Sequence, residues 1–154
     1  MMDWFVKAFL KSSLVWFSIA VAVALLMAVL PVLTVYRTAH LHVALLGFVT
    51  QMIYGVALHV IPRFVGQPLV HPRMAAVQFW TAQSGLALLA SGFIARVNGW
   101  PLASAQVAAG GSLSAVGAAC FVINIWRTMN ASEVREAAAR RARAMPLMPQ
   151  PDAH

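Results

Sequence analysis

Three histidines, His40, His42 and His59, lie within one nearly uncharged, helix-length stretch over residues 38–66. Ionisable side chains at membrane depth are costly and mark functional positions. Imidazole is also the commonest metal-ligating side chain. A pair one residue apart at one end of an apolar rod therefore suggests ligands for a buried metal or a heme. A helix rotates about 100° per residue, so His40 and His42 point about 200° apart at nearly the same depth. One iron cannot easily take both, and two sites, one on each side of the helix, are the natural geometry. His59 lies about 25 Å further along at 1.5 Å per residue and cannot share a metal with the pair. It sits one turn before Arg63, where water or lipid headgroups are an equally good environment. His71 follows in a loop beside Pro72 and Arg73, and His59 with His71 forms a second candidate metal site. His40 could itself sit at a water boundary. His154 belongs to the terminal tail and carries no role.

The elements that hold these residues follow from composition. Of 154 residues, 61% are hydrophobic and 10% charged, against about 25% charged in soluble domains. Residues 12–36, 38–62, 74–95 and 97–126 contain no Asp, Glu, Lys or Arg. Each stretch exceeds the roughly 20 residues that cross a bilayer as a helix. The expected fold is an all-α membrane protein, a four-transmembrane-helix bundle. Residues 1–11 read as an interfacial lead-in, 12–126 as the transmembrane domain, and 127–154 as a charged cytoplasmic helix followed by a disordered tail. The predicted helices cover residues 13–35, with Pro31 kinking the outer end, 38–61, stopped by Pro62, 74–95 and 102–126. A separate charged helix is predicted over 132–143, capped by Ser132. The first apolar run is too long for a cleavable signal peptide.

Charge sets the orientation. Lys7, Lys11, Arg63, Arg73, Arg127, Arg135, Arg140, Arg141 and Arg143 fall on one side of such a bundle, and Arg37 and Arg96 on the other. The positive-inside rule then places both termini and the middle loop in the cytoplasm, and His40 and His42 near the outer face of what would be a bacterial inner membrane. The net charge of +7 is explained by this bias, so nucleic acid is not the expected partner. Cys120 stands alone and reads as an apolar packing residue. Gly110, Ser114 and Ala118, with Gly111 and Gly117 nearby, allow a close helix approach, either within the subunit or to a second copy. Gln51, Tyr54, Gln78, Gln83, Gln106 and Asn124 are expected to hydrogen-bond between helices.

The segment Ala39-His40-Leu41-His42, followed a helix-length later by His59-Val60-Ile61-Pro62, resembles the tenth helix of the catalytic subunit of heme-copper oxidases. That helix carries Ala-His-aromatic-His and, in many members, His-x-x-Pro at its far end. Gln78-Phe79-Trp80 is similar to the His-Phe-Trp that opens the eleventh helix, with Gly85 at a comparable distance. Arg96 falls where the family has arginines that pair with heme propionates. The similarity covers residues 39–96 and by topology extends to all four helices, as if the chain were the last third of that subunit; small stand-alone oxidase-like membrane proteins are similar in length and motif.

The resemblance implies that His40 holds a heme with an open position and that His42 supplies one axial ligand of a second heme. It does not supply the rest of an oxidase. The family takes the other low-spin ligand and three copper-binding histidines from helices this chain does not have, so heme b is the expected cofactor and copper the lesser alternative. The missing ligand implies a homodimer, with heme held across or beside the interface and with Arg37 and Arg96 on its propionates. The expected function is electron transfer, small-gas binding (nitric oxide or oxygen), or both, which would make the chain a heme-dependent oxidoreductase. Partners would be the lipid bilayer and a quinol or periplasmic electron donor. The alternatives are a non-enzymatic heme or copper carrier or sensor, and an accessory subunit of a respiratory oxidase.

Overall fold

The computed structural model describes residues 2–144. Among them the chain is helical, with short connections. Helix α1 spans Trp4–Val29, and a 3-10 turn over Pro31–Tyr36 leads into α2, Arg37–His42. The rod continues through a π-helical segment, Val43–Thr50, into α3, Gln51–Phe64. Helix α4 is Pro72–Val97 and α5 is Ala103–Ala144. The rod formed by α2, the π segment and α3 packs back on α1, and α5 packs back on α4. The two hairpins meet where α4 touches α2 and α1, and where α3 touches α5.

Among the described residues, three helical spans are long and apolar enough to cross a membrane: Trp4–Val29, Pro31–Phe64 and Ala103–Arg141. The sequence led us to expect four. Helix α4 is long enough at 26 residues, but Gln78, Thr81, Gln83, Ser84 and Ser91 lower its apolar character. Its inner positions Ala75, Gln78, Ala82, Gly85, Leu86, Leu89, Gly92 and Ala95 are all buried. Gln78 is buried and Gln83 bonds to Gln51 of the neighbouring rod. Ser84 and Ser91 on the exposed face bond back to the Trp80 and Leu88 carbonyls, so each polar group is placed where an apolar surrounding tolerates it. Helix α1 shows the opposite composition, with Leu14, Val15, Ile19, Leu25 and Leu26 exposed, as suits a lipid-facing surface.

Several expected helix ends are corrected. The first helix starts not near Ser13 but at Trp4, and Phe5, Val6 and Phe9 anchor the main core with Tyr54, Leu58, Ala75, Ala82 and Ile125. Aromatic edges join these helices, Phe9 meeting Tyr54 at 5.6 Å and Phe79 at 5.1 Å. Pro31 does not kink a long first helix; it opens the 3-10 turn after α1 has ended, where its missing N–H leaves no helical donor unpaired. Pro62 lies inside α3, which runs on to Phe64. No break separates residues 126 and 127, because α5 carries the charged segment as a continuation of the same helix. At 1.5 Å per residue its 42 residues reach about 63 Å, roughly twice a bilayer's hydrocarbon thickness. The side-chain cap expected from Ser132 and the tail over residues 145–154 lie outside the described residues.

The small-residue face of α5 is used within the subunit. A Cβ on Gly110 would lie 2.5 Å from the Leu89 amide nitrogen and 2.8 Å from the Gly85 carbonyl oxygen. One on Gly85 would lie 2.7 Å from the Ser114 amide nitrogen. The α4 and α5 backbones therefore touch through these positions, the arrangement that small residues permit in membrane bundles.

A polar network ties three helices together. Gln51 Oε1 accepts from Ser12 Oγ at 2.6 Å and from Gln83 Nε2 at 2.7 Å, and Trp16 Nε1 donates to Gln83 Oε1 at 3.0 Å. Gln83→Leu removes two of these bonds and strands the Trp16 donor. It should lower unfolding free energy by about 1–2 kcal/mol, measurable by denaturant titration of helicity in detergent micelles; an unchanged midpoint would remove the network from the account of stability. Gln78 breaks the expected pattern, since it is fully buried and neither amide atom has a partner.

Candidate functional site

The His40–His42 pair lies on α2, immediately before the π segment. Helical widening of this kind gathers at functional positions. Gly47, within it, lets the rod press on α1, since a Cβ there would lie 2.8 Å from Trp16 Cβ and 3.0 Å from Leu86 Cδ2. The segment thus holds the histidine-bearing turn against both neighbouring helices.

The two rings face different helices. His40 borders an apolar hollow of about 250 Å³ against α1, lined also by Phe17, Ala20, Val21, Ala24 and Phe48. Its Nδ1 is buried without a hydrogen-bond partner, a situation that costs about 1–3 kcal/mol. His42 turns toward α4, where its ring lies against Phe93 at a tilt of 39° with centroids 4.6 Å apart. Its Nδ1 lies 2.8 Å from the Thr38 carbonyl oxygen. A carbonyl only accepts, so Nδ1 carries the proton, and in the neutral ring Nε2 then keeps its lone pair. A hydrogen bond that fixes the tautomer in this way is the usual support of a metal-binding imidazole.

A short run of contacts extends from His42 to the end of α4. The Arg96 guanidinium carbon lies 5.9 Å from the Phe93 ring centroid, within cation–π range, and Phe93 covers His42. Arg37 opens α2 and is exposed, as is Arg96. The Tyr36 hydroxyl and Asn98 Oδ1 meet at 3.3 Å, which brings the start of α2 and the end of α4 to one level. Arg37, Arg96 and both histidines therefore gather at the same end of the bundle.

His59 and His71 are held differently. Arg63 donates to His59 Nδ1 at 2.6 Å and to the His59 carbonyl at 2.8 Å. Arg127 donates to His71 Nε2 at 3.2 Å. The two histidines line separate hollows, His59 with Asp3 and Gln67, and His71 with Arg73 and Met74. Among the described residues no group of three or more His, Cys, Asp or Glu converges as a metal site.

Sequence reasoning missed Phe93 and the Thr38 carbonyl. Thr38 was legible in principle, because it stands four residues before His42 and so one turn away on the same helical face. Phe93 had no such signal, since its role depends on how α4 packs against α2.

The donor set fits heme iron. His42 presents an imidazole in the ligating tautomer, and His40 has a buried nitrogen without a protein partner. The enclosure is incomplete, because the 250 Å³ hollow beside His40 is smaller than the roughly 300–1,000 Å³ sites that bury even drug-sized ligands. Among the described residues, this hollow by itself does not wrap a macrocycle.

A family model described as cytochrome C and quinol oxidase polypeptide I matches residues 5–151. No curated protein and no solved structure matches the chain.

Proposed function

Since the chain belongs to the cytochrome c and quinol oxidase polypeptide I family and is an integral membrane protein by its apolar spans, we propose that it is a membrane b-type heme protein that transfers electrons, binds a small gas, or does both. In this reading α4 is the fourth membrane span. His42 is an axial ligand and His40 is the ligand of a heme with an open position. The observation that supports the proposal is the 2.8 Å contact from His42 Nδ1 to the Thr38 carbonyl, which would leave Nε2 free to coordinate. Phe93 holds the ring in place. Arg37 and Arg96 would take the propionates, since guanidinium binds carboxylates through paired hydrogen bonds.

Heme held there supplies one-electron redox chemistry and, where an axial position stays open, a place for a diatomic ligand. The apolar hollow against His40 favours gas binding as the second activity, because small uncharged gases partition into apolar space. The incomplete enclosure supports a homodimer in which the second copy covers the porphyrin and contributes the missing histidine. Both termini and the Arg63–Arg73 loop face the cytoplasm, and the electron donor is a quinol or a periplasmic protein.

Potentiometry and carbon monoxide binding test the reading. Heme reduced by a quinol, with ferrous carbon monoxide binding to part of it, is the expected result. Stoichiometric copper without heme would make the protein a carrier or sensor instead. A chain retaining neither would leave the accessory-subunit role.

A further inference from the structure

The end of the bundle opposite the histidine pair carries a cluster of cations that the heme reading does not use. Lys7 and Lys11 lie on α1, Arg63 on α3, Arg73 on α4 and Arg127 on α5. Among the described residues the one ion pair is Arg140 with Glu136, so none of these five cations has a carboxylate within 4.0 Å. Arg127 instead rests on the neutral acceptor nitrogen of His71, and Arg63 on that of His59 and a carbonyl. An imidazole lone pair satisfies a guanidinium N–H but leaves its charge unbalanced.

The backbone beside Arg127 is built rather than loose. Asn124 and Thr128 are fully buried. Asn124 Oδ1 accepts from the His71 amide at 3.2 Å, its Nδ2 donates to the His71 carbonyl at 3.0 Å, and Thr128 Oγ1 accepts from the Val70 amide at 3.2 Å. These bonds clamp the loop before α4 onto α5. They fix a hollow of about 530 Å³ lined by Val70, His71, Pro72, Arg73 and Met74, with Arg127 bonded to its His71. The hollow joins cationic and apolar surface. Trp4, Trp80 and Trp126 are exposed on the same half of the bundle, as side chains at headgroup depth are.

We propose that this hollow binds the headgroup of an anionic phospholipid, with Arg73 and Arg127 on the phosphate and the acyl chains descending past Val70 and Met74. A basic hollow at the membrane border, with Arg73 in its lining and Arg127 held on its His71, matches the chemistry of such a lipid. A zwitterionic phosphatidylcholine offers the phosphate but adds a cation that these arginines repel.

The test uses the full-length protein in vesicles and energy transfer from its tryptophans to pyrene-labelled phosphatidylglycerol or phosphatidylcholine. Phosphatidylglycerol should be favoured by about thirtyfold, the scale expected when two surface cations each act on an anionic lipid. The Arg73→Gln/Arg127→Gln double variant should lose most of that preference, whereas Arg135→Gln/Arg141→Gln, exposed further along α5, should keep it. Arg73→Lys/Arg127→Lys, which preserves charge and guards against a folding defect, should keep part of it. Equal binding of the two lipids, or a preference that survives in the glutamine double variant, would overturn the proposal. Displacement of the labelled lipid by millimolar inorganic phosphate would also overturn it, by showing a site for a free anion.

Discussion

His42→Ala is expected to strip heme from the purified protein, lowering retention by more than about tenfold. The loss of an outer partner alone commonly costs 10–100-fold in metal affinity, and this substitution removes the ligand itself. Phe93→Ala should have a smaller effect in the same direction, because it removes the ring that lies against His42 at 4.6 Å without touching iron. His59→Ala should leave heme content unchanged, since that imidazole is occupied by Arg63 at the other end of the bundle. Heme per protomer after identical purification is the measurement. Equal heme in wild type and His42→Ala would remove His42 from the site. His40→Ala adds a finer distinction: it should abolish carbon monoxide binding to the ferrous form, and some heme held by His42 should remain.

The second large effect concerns the frame. Gly110→Val places a branched side chain where even a Cβ would lie 2.5 Å from the Leu89 amide nitrogen. Backbone cannot step aside as a flexible side chain can, so α4 and α5 must separate. The cost belongs at or above the upper end of the usual overpacking penalty, about 3 kcal/mol. Gly111→Val is the matched control, because a Cβ there meets only Leu89 Cδ1 at 3.8 Å. Gly110→Val should fail to accumulate in membranes or unfold at markedly lower denaturant, and Gly111→Val should behave nearly as wild type. Similar behaviour of the two variants would mean that the α4–α5 contact does not hold the bundle together.

The helical membrane architecture was legible because uncharged runs longer than 20 residues have few other uses. The divergence of His40 and His42 was legible for an equally simple reason, the fixed rotation per residue of a helix, and the rings do turn to α1 and α4 respectively. Element ends were less legible. Pro31 and Pro62 are both breakers by local preference, yet one begins a 3-10 turn and the other sits inside the last turns of α3. Near a helix end tertiary packing settles which outcome prevails. The charged segment after Trp126 changes composition without changing conformation, so a shift in polarity was mistaken for a boundary in α5.

The features that shape the site were the least legible. The π segment over Val43–Thr50 leaves no signature in a run of Val, Ala, Leu, Gly, Phe and Thr. The run of contacts from Arg96 through Phe93 to His42 joins residues more than 50 positions apart, and only the meeting of α2 with α4 creates it. Gly110 and its neighbours announced a close helix contact but not its partner, and α4 of the same chain takes that face. The interface of the proposed homodimer would therefore use another face, with the second copy at the open side of the hollow beside His40.

The most direct measurement is the absorption spectrum of the full-length protein, expressed with ample heme and purified in mild detergent, together with iron per protomer. The account expects a Soret band that sharpens and shifts on reduction, with iron and heme in equal amounts. A folded, helical protein without a Soret band and without iron would contradict it.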